Sequence, residues 1–129
     1  MPVRIVRLGT PRHADEGTRI GTVRRPPRGV PKTEFATRDW YDVWFPTLAP
    51  SVPTMKLAQA AETERDWDAF RKKFKAELAA PEASRALDVL AAMSRASNFS
   101  VGCYCEDEAH CHRAVLRAEL AARGAAIAT

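Results

Sequence analysis

Residues 3–8, Val-Arg-Ile-Val-Arg-Leu, are a run of apolar residues interrupted by Arg4 and Arg7, and it ends at Gly9-Thr-Pro11. That pattern, rich in β-branched residues, predicts a first strand. A polar loop follows over residues 12–17, holding His13, Asp15 and Glu16, and then a weaker strand over residues 18–24. Pro26 and Pro27 stop that strand, because proline fixes φ and donates no hydrogen bond, so residues 25–31 read as an irregular loop. Residues 33–53 interleave Phe35, Trp40, Tyr41, Trp44 and Phe45 with Pro46, Pro50 and Pro53. So many aromatics predict short helical turns packed over a sheet, not a solvated linker.

The second half changes period. Thr63-Glu-Arg-Asp66 has the spacing of a capping box. Trp67, Phe70, Phe74 and Leu78 then recur at i, i+3, i+7 and i+11 as one apolar stripe, which predicts core packing ahead of a partner-binding face. Pro81 suits the first turn of a further helix, with Ala86, Leu87, Leu90 and Met93 as its buried face. Residues 99–105 are uncharged with Val101 at the centre and read as a strand. Residues 109–123 are alanine-rich with leucines at helical spacing and read as the last helix. The order β, β, irregular, α, α, β, α predicts an α/β protein: a single small domain over residues 1–129, its mixed or parallel sheet flanked by helices.

This layout places the chemistry on one turn. Cys103, Cys105, Cys111, His110 and His112 fall within ten residues, between the last strand and the last helix. In open α/β sheets, strand-to-helix turns form the rim where ligands bind. On a helical wheel Cys111 and His112 face the sheet and Arg113 falls at the rim, beside His110 and Arg117. Alternation puts Cys103 and Cys105 on one strand face.

Four readings of this cluster compete. The first is a metal site built from Cys103, Cys105, Cys111 and His112, for zinc or iron, although the spacing is not that of a structural zinc knuckle. The second is a reactive thiol at a helix N-terminus, opposed by the acids Glu106, Asp107 and Glu108 just ahead of it. Third comes phosphate capture with Arg113 as clamp, which those acids and the missing glycines disfavour at the turn itself. The bland alternative makes the cysteines small buried hydrophobes and leaves His112 bonded to a backbone carbonyl.

Charge changes the picture elsewhere. The net charge is +4, but residues 1–40 hold nine Arg or Lys against four acids, so the excess belongs to the N-terminal third. Arg-Pro-Pro-Arg-Gly at residues 25–29 presents two guanidiniums on a rigid segment, which suits phosphate or carboxylate. Arg19, Arg24 and Arg28 are the candidate anion-binding residues, with solvated loop positions as their ordinary fate. No apolar run approaches membrane-spanning length, and no signal peptide is expected from the first residues. Three cysteines, an odd number, fit reduced thiols in a cytoplasm.

The segment Cys103-x7-Cys111-His112-Arg113-x2-Leu116 resembles the C-terminal signature of the domain-of-unknown-function family 488, a Cys…Cys-His-Arg turn followed by an amphipathic helix. Gly17-x-Arg19-Ile-x3-Arg24-x2-Pro27-Arg28-Gly29 is similar to the family's arginine-rich segment. Trp40, Ala49-Pro50-Ser51 and Trp67-x2-Phe70-x3-Phe74-x2-Glu77-Leu78 also match, in the family's order. Val23 and Pro26 depart from it, where aspartate and tryptophan are common, and Cys105 stands where many relatives have glutamate. The resemblance implies a compact, cytosolic α/β sheet domain of bacterial or archaeal type. It adds weight to Arg19, Arg24, Arg28, Cys111, His112 and Arg113, and brings no established activity.

The expectation is then one pocket at the strand ends for an anionic, nucleotide- or phosphate-like ligand. Arg19, Arg24 and Arg28 hold the anion, while Cys111, His112 and Arg113 supply chemistry. The alternatives are a zinc or iron site in the Cys/His cluster and a basic nucleic-acid-associated module. The module is weakly supported, since no aromatic-basic nucleic-acid motif is found.

Overall fold

In the computed structural model, which describes residues 2–128 (Ala109 by its backbone alone), four parallel strands form one sheet in the order β1-β4-β2-β3. The strands are β1 (Val3–Arg7), β2 (Thr18–Gly21), β3 (Val43–Trp44) and β4 (Phe99–Cys103). The helices are α1 (Val52–Ala60), α2 (Glu64–Leu78), α3 (Pro81–Met93) and α4 (His112–Ala122). Strand β4 pairs with β1 from Val3↔Phe99 to Arg7↔Cys103 and with β2 from Thr18↔Phe99 to Gly21↔Gly102. It is therefore a central strand, buried at all five positions. That position explains its charge-free sequence, because a parallel strand covered on both faces has no solvent side to mark.

Side chains of β1 alternate between two apolar clusters, as the two-residue period requires. Val3 and Ile5 join a core with Phe99, Val101, Phe74, Leu78, Leu87, Leu90, Leu116 and Leu120, between the sheet and helices α2, α3 and α4. Val6 and Leu8 join Val23, Tyr41, Cys103 and Cys111, with Phe35, Trp40 and Tyr104 packed against them. The second cluster places the cysteines against the C-terminal end of the sheet. Phe74 is fully buried, and truncating such a ring to alanine costs about 3–5 kcal/mol.

Helix α2 begins with the predicted capping box. Thr63 Oγ1 accepts from the Asp66 N–H while the Asp66 carboxylate accepts from the Thr63 N–H. Phe70, Phe74 and Leu78 fill the core as expected, whereas Trp67 is half-buried and takes another role below. On α3 the buried residues are Ala83, Leu87, Leu90 and Ala91; Ala86 packs at the core's edge and Met93 is exposed.

Two elements in residues 33–53 and beyond depart from the expected short turns. Val43–Trp44 pairs with Ile20 and Gly21 as the edge strand, a contact too short to give a period. Helix α1 opens at Ser51, whose Oγ accepts from the Thr54 N–H, with Pro53 in its first turn. The same serine donates to Glu77 Oε2 at 2.5 Å, Thr54 Oγ1 donates to that oxygen at 2.7 Å, and the Ser51 N–H donates to Oε1. Burial opposes the Glu77 charge, but these hydrogen bonds from Ser51 and Thr54 prevail and hold its pKa below the usual range. Glu77 thus ties α1 to α2.

Candidate functional site

The C-terminal ends of β1, β2 and β4 open into a cleft of about 1150 Å³, closed on the far side by α1 and α2. Cys103, Cys111 and His112 line its floor, and Trp40, Tyr104, Met55, Trp67 and Phe70 form apolar walls. Four arginines, Arg7, Arg24, Arg25 and Arg28, line it as well. Among the described residues no carboxylate does.

The floor is built by the turn after β4. The strand ends at Cys103, a short 3-10 turn spans Glu108–His110, and Cys111 is the N-cap of α4. Cys103 is 1% exposed and Cys111 3% exposed, and their sulfurs are in contact. Their Cα atoms are 7.9 Å apart, beyond the span of roughly 4.4–6.8 Å that a disulfide allows without backbone movement. The pair is best described as two adjacent thiols.

His112 places Nε2 2.7 Å from the Thr22 carbonyl oxygen. A carbonyl only accepts, so Nε2 carries the proton and Nδ1 keeps its lone pair, 3.8 Å from the Cys111 sulfur. Burial drives the His112 pKa down to about 4, the Arg113 charge pushes the same way, and the bond to Thr22 only partly opposes them. The ring is therefore neutral and a weak base. It favours neither an imidazolium nor the thiolate–imidazolium pair of a nucleophilic cysteine.

Cys105 lies apart. Beyond the end of β4 it is exposed at the cleft's edge, and among the described residues the cluster that brings its donor atoms within 4.8 Å of one another is Cys103, Cys111 and His112. Neighbouring atoms still strip enough water from its thiol to raise the pKa more than Arg113 and Arg7 lower it. The expected four-residue ligand set becomes three. The reason is that β4 stops two residues early, so alternation no longer carries Cys105 to the face of Cys103.

Arg113 is not at the rim. It is 4% exposed, donates from Nη2 to the Cys105 carbonyl at 2.5 Å, and leaves Nε buried without a hydrogen-bond partner. Its guanidinium props the segment carrying Tyr104 and Cys105, and it does not line the cleft. The three acids ahead of α4 are spent on neighbours. Glu106 meets Arg7 at 3.5 Å, Asp107 meets His110 at 3.1 Å, and Glu108 grips Arg117 at 2.6 and 2.9 Å.

The three arginines expected to hold an anion have separate fates. Arg19 is fully buried, donating to Glu16 Oε2 at 2.6 Å, to Glu16 Oε1, and to the Thr10 and Asp39 carbonyls. This is a correction: it is an internal ion pair that ties the 10–16 loop to β2. Arg24 lines the cleft and donates to the carbonyls of Pro46, Ala49 and Pro50, bracing the start of α1. Arg28 is exposed on the loop after β2 and lines the cleft together with Arg25.

Several cleft residues escaped sequence reading. Trp67 stacks on His110 with centroids 4.7 Å apart, at the mouth, and Trp40 meets Tyr104 edge-on at 5.8 Å. Tyr104 donates its hydroxyl to the Arg25 carbonyl at 2.8 Å, which fixes the arginine-bearing loop over the cleft. Met55, Ala58 and Gln59 come from α1, whose Ser51-x-Pro53 start was the available signal.

No curated protein and no solved structure matches this chain significantly. A family model described as the active DUF488-N3 subclade matches residues 3–124, from the first residue of β1 to just past α4. With nearly the whole chain matched, and with the arginine-bearing loop and the Cys-His-Arg turn meeting across one cleft, this protein belongs to the DUF488 family, in its DUF488-N3a subclade.

Proposed function

We propose that the chain binds a nucleotide-class anion in the cleft, with phosphate against Arg25 and Arg28 and the base between the aromatic walls. The observation that carries this reading is the lining: four arginines, no carboxylate-bearing residue among the described residues, and Trp40, Trp67 and Tyr104 alongside. Guanidiniums match phosphate oxygens in a planar fork, and aromatic faces take stacked bases. Arg25 and Arg28 are exposed and extend from a loop stiffened by Pro26 and Pro27, so little order is lost on binding. Arg7 and Arg24 already have protein partners and set the field more than they grasp the ligand.

The cleft exceeds the roughly 300–1,000 Å³ that drug-sized ligands occupy, which leaves space for a second, reacting molecule. Cys111 and His112 stand at the floor as the end where chemistry takes place, while Arg113 props the neighbouring Tyr104–Cys105 segment. The word "active" in the subclade's description agrees with an enzymatic role. The setting proposed is the cytoplasm, where thiols such as the exposed Cys105 stay reduced. Among the described residues no helix is long and apolar enough to cross a membrane.

Tryptophan fluorescence tests the reading, since Trp40 and Trp67 line the walls. Nucleoside mono- and diphosphates are expected to quench emission saturably, with pyrophosphate competing. Quenching by nucleosides as strong as by nucleotides, or none by either, contradicts it.

A further inference from the structure

We propose that Cys103, Cys111 and His112 form a three-ligand site for a zinc-class divalent ion, with the fourth coordination position open to the cleft. The two sulfurs and a ring nitrogen lie within 4.8 Å of one another, all three residues are buried, and all three line the cleft floor. An ion about 2.3 Å from sulfur and about 2.0 Å from nitrogen, at tetrahedral angles, separates those atoms by about 3.5 Å. Cys111 Sγ and His112 Nδ1 are 3.8 Å apart.

The surroundings fit a ligand set better than a structural pair. His112 presents the unprotonated nitrogen to the sulfurs because Nε2–H is held by the Thr22 carbonyl, the outer bond that metal-binding histidines typically make. Thr22 is itself fixed, its N–H and Oγ1 both donating to the Gly102 carbonyl at 3.0 and 2.9 Å. Two thiolates and an imidazole are soft and borderline donors, which select zinc over magnesium or calcium. Three protein ligands with one open position is the arrangement of catalytic rather than structural zinc. Binding sends the two thiol protons to solvent. The site shares Cys111 and His112 with the cleft of the proposed function, but none of its ligands is among the arginines and aromatic walls that hold the nucleotide, so metal binding and nucleotide binding can fail separately.

Cobalt(II) titration of the reduced, chelator-stripped full chain tests the proposal. About one equivalent is expected to bind, giving thiolate-to-cobalt charge transfer and intense tetrahedral d–d bands that zinc abolishes. Cys103→Ser and Cys111→Ser are each expected to weaken binding by at least about tenfold, while Cys105→Ser leaves it unchanged. Should a serine variant fail to fold by circular dichroism, mass spectrometry of the alkylated wild-type chain decides, zinc protecting Cys103 and Cys111 and leaving Cys105 reactive. Cobalt spectra without charge transfer, bands that survive Cys103→Ser, or zinc that protects none of the thiols overturns the proposal.

Discussion

His112 donates from Nε2 to the carbonyl oxygen of Thr22 across 2.7 Å, joining the first turn of α4 to the chain just after β2. That bond decides which nitrogen faces the cysteines. Nitrogen-15 NMR is expected to show the Nε2–H tautomer between about pH 5 and 8, with no titration near the ordinary histidine value. The folded pKa, about 4, lies below the ordinary histidine value of 6.5. The neutral ring's contribution to stability is therefore complete above 6.5 and lost as pH falls toward 4. A ring titrating near 6.5, or protonated on Nδ1, contradicts the geometry.

Glu16 and Arg19 form a fully buried ion pair, and Ser100 donates to the same carboxylate at 2.6 Å. Burial raises the Glu16 pKa, but the hydrogen bonds from Arg19 and Ser100 outweigh it and bring it to about 2. A depressed carboxylate stabilises the fold above its unfolded value of 4.5, and that stability drains away as pH falls from 4.5 toward 2. Glu16→Gln leaves a buried cation uncompensated and is expected to cost about 3–5 kcal/mol. Urea unfolding at neutral pH and at about pH 3 checks both statements, since the gap between wild type and variant must shrink in acid.

Gly17 and Gly29 both have positive φ, +73° and +71°, yet they differ in surroundings. A Cβ on Gly17 would meet the Asn98 backbone oxygen, while one on Gly29 meets nothing within 4 Å. Gly29→Ala is expected to cost about 1 kcal/mol of backbone strain. Gly17→Ala adds a clash with a rigid backbone and is expected to cost at least about 2 kcal/mol more. Equal midpoints in denaturant would contradict this.

Arg28 and Arg19 separate binding from folding. Arg28→Ala is expected to leave the unfolding midpoint unchanged, because the side chain is exposed, and to weaken nucleotide binding by about tenfold. Arg19→Ala removes the partner of buried Glu16 and is expected to unfold most of the protein, read by circular dichroism.

Much of the fold is legible in the sequence, because period and capping are local. The β-branched run of residues 3–8, the Thr63–Asp66 box and the Phe70, Phe74 and Leu78 stripe all lie where the pattern puts them. What was missed depends on distant partners. β3 is two residues held by β2, and α1 is secured to α2 by Glu77, a contact 26 residues from Ser51. The floor of the cleft is legible in sequence only as a set that also holds Cys105, since alternation alone does not tell which strand cysteine meets Cys111 and His112; where β4 stops decides it. The burial of Arg19 is not legible, because an arginine that pairs with a buried glutamate three residues earlier looks in sequence like any other cation. Trp67 shows the converse: its helical spacing assigns it to the core stripe, but it sits a turn nearer the helix start, where the sheet's edge leaves the cleft open.

The most direct test of the central claim is chemical-shift mapping of the labelled full chain with a nucleoside diphosphate at physiological salt. The account predicts saturable shifts confined to the cleft: the indoles of Trp40 and Trp67, the backbone of Tyr104, and residues 24–28. Shifts spread over outward arginines such as Arg38 and Arg65, fading as salt rises, would instead indicate diffuse polyanion binding and contradict a nucleotide pocket.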